Sequence, residues 1–197
     1  MRIALFGTGG MAQALGAHWS RHSLAVSGRD PGRAAALARE LGASALPWAS
    51  AAEWADVVLL GLPVSALSVM TGLPLAGKVL IDCTNTPGNS DSLPPGTPVA
   101  AGLAAAAPGA LVVKAFNLAP VETWRMTPPL FEGRPLAVPL CGAPAAVDVV
   151  SELVRDVGCT PLPAGGLDRA ALLEATAAFA IGLWRGGFDT RAAFVSG

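Results

Sequence analysis

Six consecutive residues near the start of the chain carry the clearest chemistry: Gly7-Thr8-Gly9-Gly10-Met11-Ala12. They follow a short apolar run, Ile3-Ala4-Leu5-Phe6, and open a helix-forming stretch that continues to Trp19. Each small residue has a physical task in the spacing Gly7-x-Gly9-x-x-Ala12. The first glycine permits the tight turn, the second lets a phosphate approach the backbone, and the third small residue lets helix and strand pack closely. A helix starting there aims unpaired N–H groups and a positive dipole end at an anion. The chemistry expected is cradling of a dinucleotide pyrophosphate by Gly7, Thr8, Gly9, Gly10, Met11 and Ala12.

The choice of dinucleotide falls to the end of the second strand. A carboxylate there would accept from a ribose 2′-hydroxyl. This chain instead has Ser27-Gly28-Arg29, with Arg33 four residues beyond Arg29. Two guanidiniums can hold a 2′-phosphate, with Thr8 and Ser27 as hydroxyl donors. NADP(H) is therefore expected over NAD. Asp30 suits a helix cap, followed by Pro31 in the first turn.

Three further turns should share this edge of the sheet. Leu62-Pro63-Val64 would wrap the adenosine and its ribose. Thr84-Asn85, and Ala115 with Phe116-Asn117, would line the nicotinamide end. Acid–base machinery is sparse: there is no Tyr, and the only lysines are Lys78 and Lys114. Lys78 reads as a solvated strand end. Lys114 leaves two alternatives open, facing the site or facing a partner chain. Asp82 reads as a holder of loop N–H groups. Hydride transfer between two heterocycles asks mainly for orientation, so this poverty fits such a reaction. No catalytic side chain is assigned beyond ring positioning by Phe116 and Asn117.

Those turns need a scaffold. Short apolar runs at 3–6, 24–27, 44–46, 56–60, 78–82 and 110–115 alternate with helical stretches, which predicts a parallel sheet covered on both faces. A strand at 136–141, a helix at 143–157, a short strand at 160–162 and a long helix from Asp168 to Trp184 follow. Residues 86–98 and 127–135 read as Pro-rich loops. The expected division is 1–142 as the dinucleotide-binding part and 143–197 as a part that completes the sheet and adds a long helix, the whole being one compact unit.

Composition excludes several classes. Charged residues make up only 14% of the 197 residues and the net charge is -1, which disfavours a nucleic-acid surface. No apolar run is long enough for a membrane span, and no signal peptide is read at the start. Cys83, Cys141 and Cys159 show no Cys-x-x-Cys spacing and fit small buried thiols in a reducing cytoplasm. His18 and His22 would share a helix face, a spacing that suits a metal pair, but lack a neighbouring ligand in sequence. They are expected to face solvent, and no metal site is assigned.

The chain resembles the coenzyme F420 (deazaflavin)-dependent NADP oxidoreductases, and also the cytosolic reductase domain of the six-transmembrane metalloreductases. The resemblance rests on Ile3 to Gly9, Val26-Ser27-Gly28-Arg29-Asp30-Pro31, Leu62-Pro63 and, most specifically, Val112-Val113-Lys114-Ala115-Phe116-Asn117. It implies an α/β Rossmann-type doubly wound parallel sheet with a small C-terminal helical extension, acting as a homodimer. NADPH would set its 2′-phosphate on Thr8, Arg29 and Arg33, and a deazaflavin or flavin ring would stack near the nicotinamide. The family's usual order is Gly-Ser-Arg where this chain has Ser27-Gly28-Arg29, which displaces the serine contact. The turn Gly9-Gly10-Met11-Ala12 is also similar to pyrroline-5-carboxylate reductase, which keeps a small imine or carbonyl reductase as an alternative. A non-catalytic NADP-binding sensor is the alternative of another class.

Overall fold

A computed structural model of the chain describes residues 1–85 and 98–188. Of the loop expected over residues 86–98, residues 86–97 lie outside the described residues. The sheet begins with β1 (Arg2–Phe6), β2 (Ser23–Ser27), β3 (Ser44–Ala45), β4 (Val57–Leu60), β5 (Val79–Asp82) and β6 (Leu111–Lys114). Helices α1 (Gly10–His18), α2 (Pro31–Leu41), α3 (Trp48–Trp54) and α4 (Val99–Ala106) lie between them, with a 3-10 turn at Val64–Met70 after β4. Then come α5 (Val121–Trp124), a small hairpin of β7 (Leu130–Phe131) and β8 (Arg134–Pro135), β9 (Ala137–Gly142), α6 (Pro144–Asp156), β10 (Thr160–Pro163) and α7 (Ala170–Arg185).

The strand order is β10-β9-β6-β5-β4-β1-β2-β3. Strands β1 to β6 run parallel, so the turns after each strand gather along one edge. Strand β9 is antiparallel to β6, and β10 is parallel to β9. That reversal was not expected. It follows from the connection: α5 and the hairpin replace the long helical crossover that a parallel partner requires. The hairpin itself falls where a plain loop was read.

Alternate residues of each central strand enter separate cores. Ile3, Leu5, Val57, Leu59 and Ile81 join α1, α2 and α6 on one face. Ala4, Phe6, Val58, Leu60 and Leu80 join α3, α4 and the 3-10 turn on the other. Burial on both faces explains why these strands are continuous apolar runs rather than alternating ones. The expected doubly wound Rossmann-type fold is what the structure shows. The break foreseen at residue 142 falls at the end of β9, and α6 packs into the same core as α1.

Local signals place the helices. The Asp30 carboxylate accepts from the Gly32 and Arg33 amides at 2.8 and 3.1 Å, and Gly42 closes α2 in a left-handed conformation. Asp168, where the last helix is expected to begin, instead lies in a 3-10 turn, Leu167–Arg169, that precedes α7. Among the described residues, no helix is long and apolar enough to cross a membrane.

Candidate dinucleotide site

The turn after β1 has the shape its sequence demands. Gly7 has φ +118°, and a Cβ there would stand 2.3 Å from the Gly61 carbonyl oxygen. Only glycine fits between β1 and the turn after β4. At Gly9 a Cβ would meet nothing within 4 Å, so the backbone there is open to an incoming group. Helix α1 begins at Gly10, and among the described residues no side chain caps it. Its first amides are therefore available to an anion. Ala12 is fully buried, and a Cβ on Gly61 would stand 3.3 Å from its methyl group. The small residue at this position seats helix and turn together.

The turn after β2 leans on this cradle. A Cβ on Gly28 would come within 2.8 Å of the Thr8 methyl carbon, so the two turns touch. Arg29 and Arg33 are both exposed beside them. Arg29 makes no hydrogen bond or ion pair among the described residues, and Arg33 stands 3.9 Å from Asp30. Both guanidiniums are free to turn toward a phosphate. Ser27 differs from expectation. It is completely buried, and its hydroxyl donates to the Leu46 carbonyl at 2.6 Å. Its hydroxyl is therefore spent within the fold rather than offered to a 2′-phosphate.

After β4, Leu62 packs on the core, with Cδ2 3.4 Å from the Cβ position of Gly7. Pro63 is exposed and Val64 half-buried next to it. An apolar groove of about 260 Å³ opens beyond, lined by Val64, Leu67, Thr71, Val99 and Leu103 among others.

The turns after β5 and β6 are joined by buried polar groups. Asn85 Nδ2 donates to the Asn117 carbonyl at 2.7 Å, and Asn117 Nδ2 donates to Asn85 Oδ1 at 3.1 Å. The Thr84 amide and hydroxyl both donate to Asp82 Oδ1, at 2.9 and 2.7 Å. Asp82 thus holds a loop, as expected. Burial pushes the Cys83 thiol up to about 12, and its Sγ donates to the Leu60 carbonyl. This thiol carries no nucleophilic role at ordinary pH.

Two expectations are corrected here. Lys114 faces neither the crevice nor a partner. It is fully buried, and its ammonium meets Asp82 Oδ2 at 2.9 Å, the Thr84 carbonyl at 2.6 Å and Glu174 Oε1 at 3.0 Å. Phe116 does not present its ring to a ligand. With φ +61° the backbone turns the ring inward, where it is 2% exposed and meets Trp124 and Trp19 edge-on at 5.3 and 6.1 Å. Ala115 is buried in the same core. Of the segment 115–117, Asn117 alone lies with the polar groups of the edge.

The histidines are also placed differently from expectation. His18 Nε2 lies 2.8 Å from the Trp124 carbonyl oxygen. His22 Nε2 lies 2.8 Å from Asp156 Oδ2, a partner 134 positions away. Both are half-buried staples between distant segments rather than solvent-facing groups. Among the described residues, no cluster of three or more His, Cys, Asp or Glu could hold a metal ion.

Comparison with known proteins fits this geometry. Residues 2–86 match the model of the family described as NADP oxidoreductase, coenzyme F420-dependent. The matched segment contains the glycine turn, the arginine pair and the turns after β4 and β5. Over this segment the chain is similar to that family.

The resemblance read from the sequence is thereby borne out. Metalloreductase STEAP3 of Rattus norvegicus is 31% identical over 179 residues, which cover 88% of this chain and 36% of that protein. The chain thus spans about a third of that relative's length. Among solved structures, a protein assigned as an F420-dependent NADP-reductase from Arthrobacter sp. FB24 aligns with TM-score 0.79 and 23% identity, covering 93% of each chain. A reductive aminase from Aspergillus terreus, in complex with NADPH and ethyl-5-oxohexanoate, aligns with TM-score 0.69 and 22% identity over 94% of this chain and 62% of that one. At these identities the solved structures share the fold.

Two residues escaped the sequence reading. Glu174 lies on α7 and is 6% exposed. Its signal was present: it is the only charged residue in the apolar stretch 170–184. Arg125 follows α5, and its Nη2 would stand 3.6 Å from a Cβ on Gly10, beside the phosphate turn. Nothing local foretells this, because it depends on how α5 packs on α1.

Proposed function

We propose that the chain binds NADP(H) across this edge and exchanges hydride with coenzyme F420 or a flavin-type acceptor. The observation that carries the reading is the pairing of an uncapped glycine turn with two exposed arginines next to it, Arg29 without a partner among the described residues and Arg33 with only a 3.9 Å contact to Asp30. The open Gly9 backbone and the α1 amides fit a pyrophosphate. Thr8, Arg29 and Arg33 fit a 2′-phosphate, whose charge guanidiniums meet in a planar fork. Leu62, Pro63 and Val64 would flank the adenosine, and Thr84, Asn85 and Asn117 the nicotinamide.

When bound, NADPH supplies the hydride and its electron pair. The chain's own part is orientation. The turns after β5 and β6 are cross-linked by the two asparagines, which gives a rigid wall for one ring. Asp82, Lys114 and Thr84 are locked to one another, so none is poised to donate a proton to an imine or carbonyl. This favours ring-to-ring hydride transfer over a small imine or carbonyl reductase. The likeness of fold to the reductive aminase keeps that second reading in the test.

We further propose a homodimer in the cytoplasm. Leu172 and Trp184 on α7 are 58% and 68% exposed, an apolar surface that a second copy would cover. The experiment follows NADPH absorbance with F420, flavin mononucleotide, a ferric chelate and cyclic imines in turn. Oxidation with F420 or flavin supports the reading. Oxidation with the imine alone overturns it, and tight NADPH binding without oxidation by any acceptor points to a sensor. Light scattering reads the assembly.

A further inference from the structure

We propose that Glu174 is a positioning residue: from α7 it sets the two turns that face the nicotinamide. The proposal rests on the NADP reading above. Glu174 Oε1 accepts from the Ala100 amide at 2.9 Å and meets the Lys114 ammonium at 3.0 Å, while Oε2 accepts from the Val99 amide at 2.9 Å. Lys114 passes the link on to Asp82 Oδ2 and the Thr84 carbonyl. Asp82 completes it by holding the Thr84 amide and hydroxyl. One position before Glu174, the Leu173 carbonyl accepts from Asn117 Nδ2 at 3.2 Å. Two adjacent residues of α7 therefore hold the turn after β5, the turn after β6 and the start of α4.

The cluster is closed. The Lys114 ammonium donates to Asp82 Oδ2 and the Thr84 carbonyl and is ion-paired with Glu174 Oε1, and the surplus negative charge of two carboxylates against one ammonium falls on three backbone amides and one hydroxyl. A buried ion cluster of this kind rarely gives more stability than apolar side chains of the same volume. Its distinct property is direction, since each bond fixes a donor and an acceptor in space. Leu172 and Trp184 leave much of α7 wet, so apolar packing alone does not fix this helix. The strand ends that must orient the nicotinamide are referenced to it through Glu174.

The test compares two ligands on the full chain by titration calorimetry: NADPH, and adenosine 2′,5′-bisphosphate, which lacks the nicotinamide half. The variants are Glu174→Ala, Glu174→Gln and, as contrast, Arg29→Ala. Glu174→Ala is expected to weaken NADPH about tenfold, the worth of roughly one lost orienting hydrogen bond. Adenosine 2′,5′-bisphosphate should change by less than about twofold, because its groups sit at the other end. Glu174→Gln keeps an acceptor without the charge and should fall between wild type and Glu174→Ala. Arg29→Ala should weaken both ligands. Equal loss of both ligands in the Glu174 variants, or loss of neither, overturns the proposal. If Glu174→Ala does not fold, Glu174→Gln decides on the same two ligands. Wild-type protein that binds neither ligand overturns the NADP reading itself, and binding of the two with equal affinity overturns the positioning role alone.

Discussion

The proposed phosphate end and the proposed hydride end of the crevice are built in opposite ways. At the phosphate end the useful groups are uncapped backbone amides and two exposed arginines, of which Arg29 has no partner among the described residues and Arg33 only an exposed contact of 3.9 Å to Asp30. At the hydride end the polar groups of Asp82, Thr84, Lys114, Asn117 and Glu174 are buried and mutually bonded. Unspent groups give affinity, because a ligand replaces only water. Spent groups give shape, because each is already held. A dinucleotide that must be gripped by its phosphates and aimed by its ring needs both.

The contrast breaks most severely at its geometric root. Gly7→Val must move the β1 turn away from the Gly61 carbonyl and force a φ of +118° on a β-branched residue. Loss of about a hundredfold or more in NADPH affinity is expected by calorimetry, from strain of a few kcal/mol. At the other end, Lys114→Met removes the one cation from between two buried carboxylates. Urea unfolding should show a loss of about 3–5 kcal/mol, since the carboxylates are left uncompensated. A loss under about 1 kcal/mol would mean that the cluster is not closed as described.

Smaller effects sharpen the same division. Arg29→Ala should weaken NADPH about tenfold or more and leave NADH nearly unchanged. Equal loss of the two would remove Arg29 from the 2′-phosphate. Ser27→Ala should leave the NADPH-to-NADH preference intact and cost about 1 kcal/mol in stability, through the bond to the Leu46 carbonyl. A change in cofactor preference instead would return Ser27 to the site. The smallest expected effect is on pH dependence. The folded Cys83 thiol titrates near 12 against 9.0 for a free thiol, so above about pH 9 the unfolded chain loses a proton that the folded chain keeps. That part of the stability is complete below pH 9 and declines as pH rises toward 12. The midpoint of thermal unfolding should fall from pH 8 to pH 10, and less so in Cys83→Ala.

The phosphate end was legible in sequence because its parts are neighbours in the chain. Gly7 to Ala12 form one turn, and Arg29, Asp30 and Arg33 form another, with the cap of α2 between them. Ser27 was misread for a reason that sequence hides. Strand β2 is buried on both faces, so alternation alone does not say which strand-end hydroxyl looks out. Phe116 was misread because a positive φ at a non-glycine residue reverses the side chain, and that reversal has no local signature.

By itself the sequence determined the doubly wound scaffold and the glycine turn, and it pointed to a 2′-phosphate beside that turn. These depend on apolar runs, glycine spacing and charges a few residues apart, all of which act locally. Only the tertiary structure decided what Lys114 does, that Glu174 matters, and that His18 and His22 bind distant segments. Each of those outcomes joins residues from 30 to 134 positions apart, such as Lys114 with Thr84 and His22 with Asp156. Whether a charge is spent or free depends on which partner the packing delivers to it, and chain spacing carries no record of that partner.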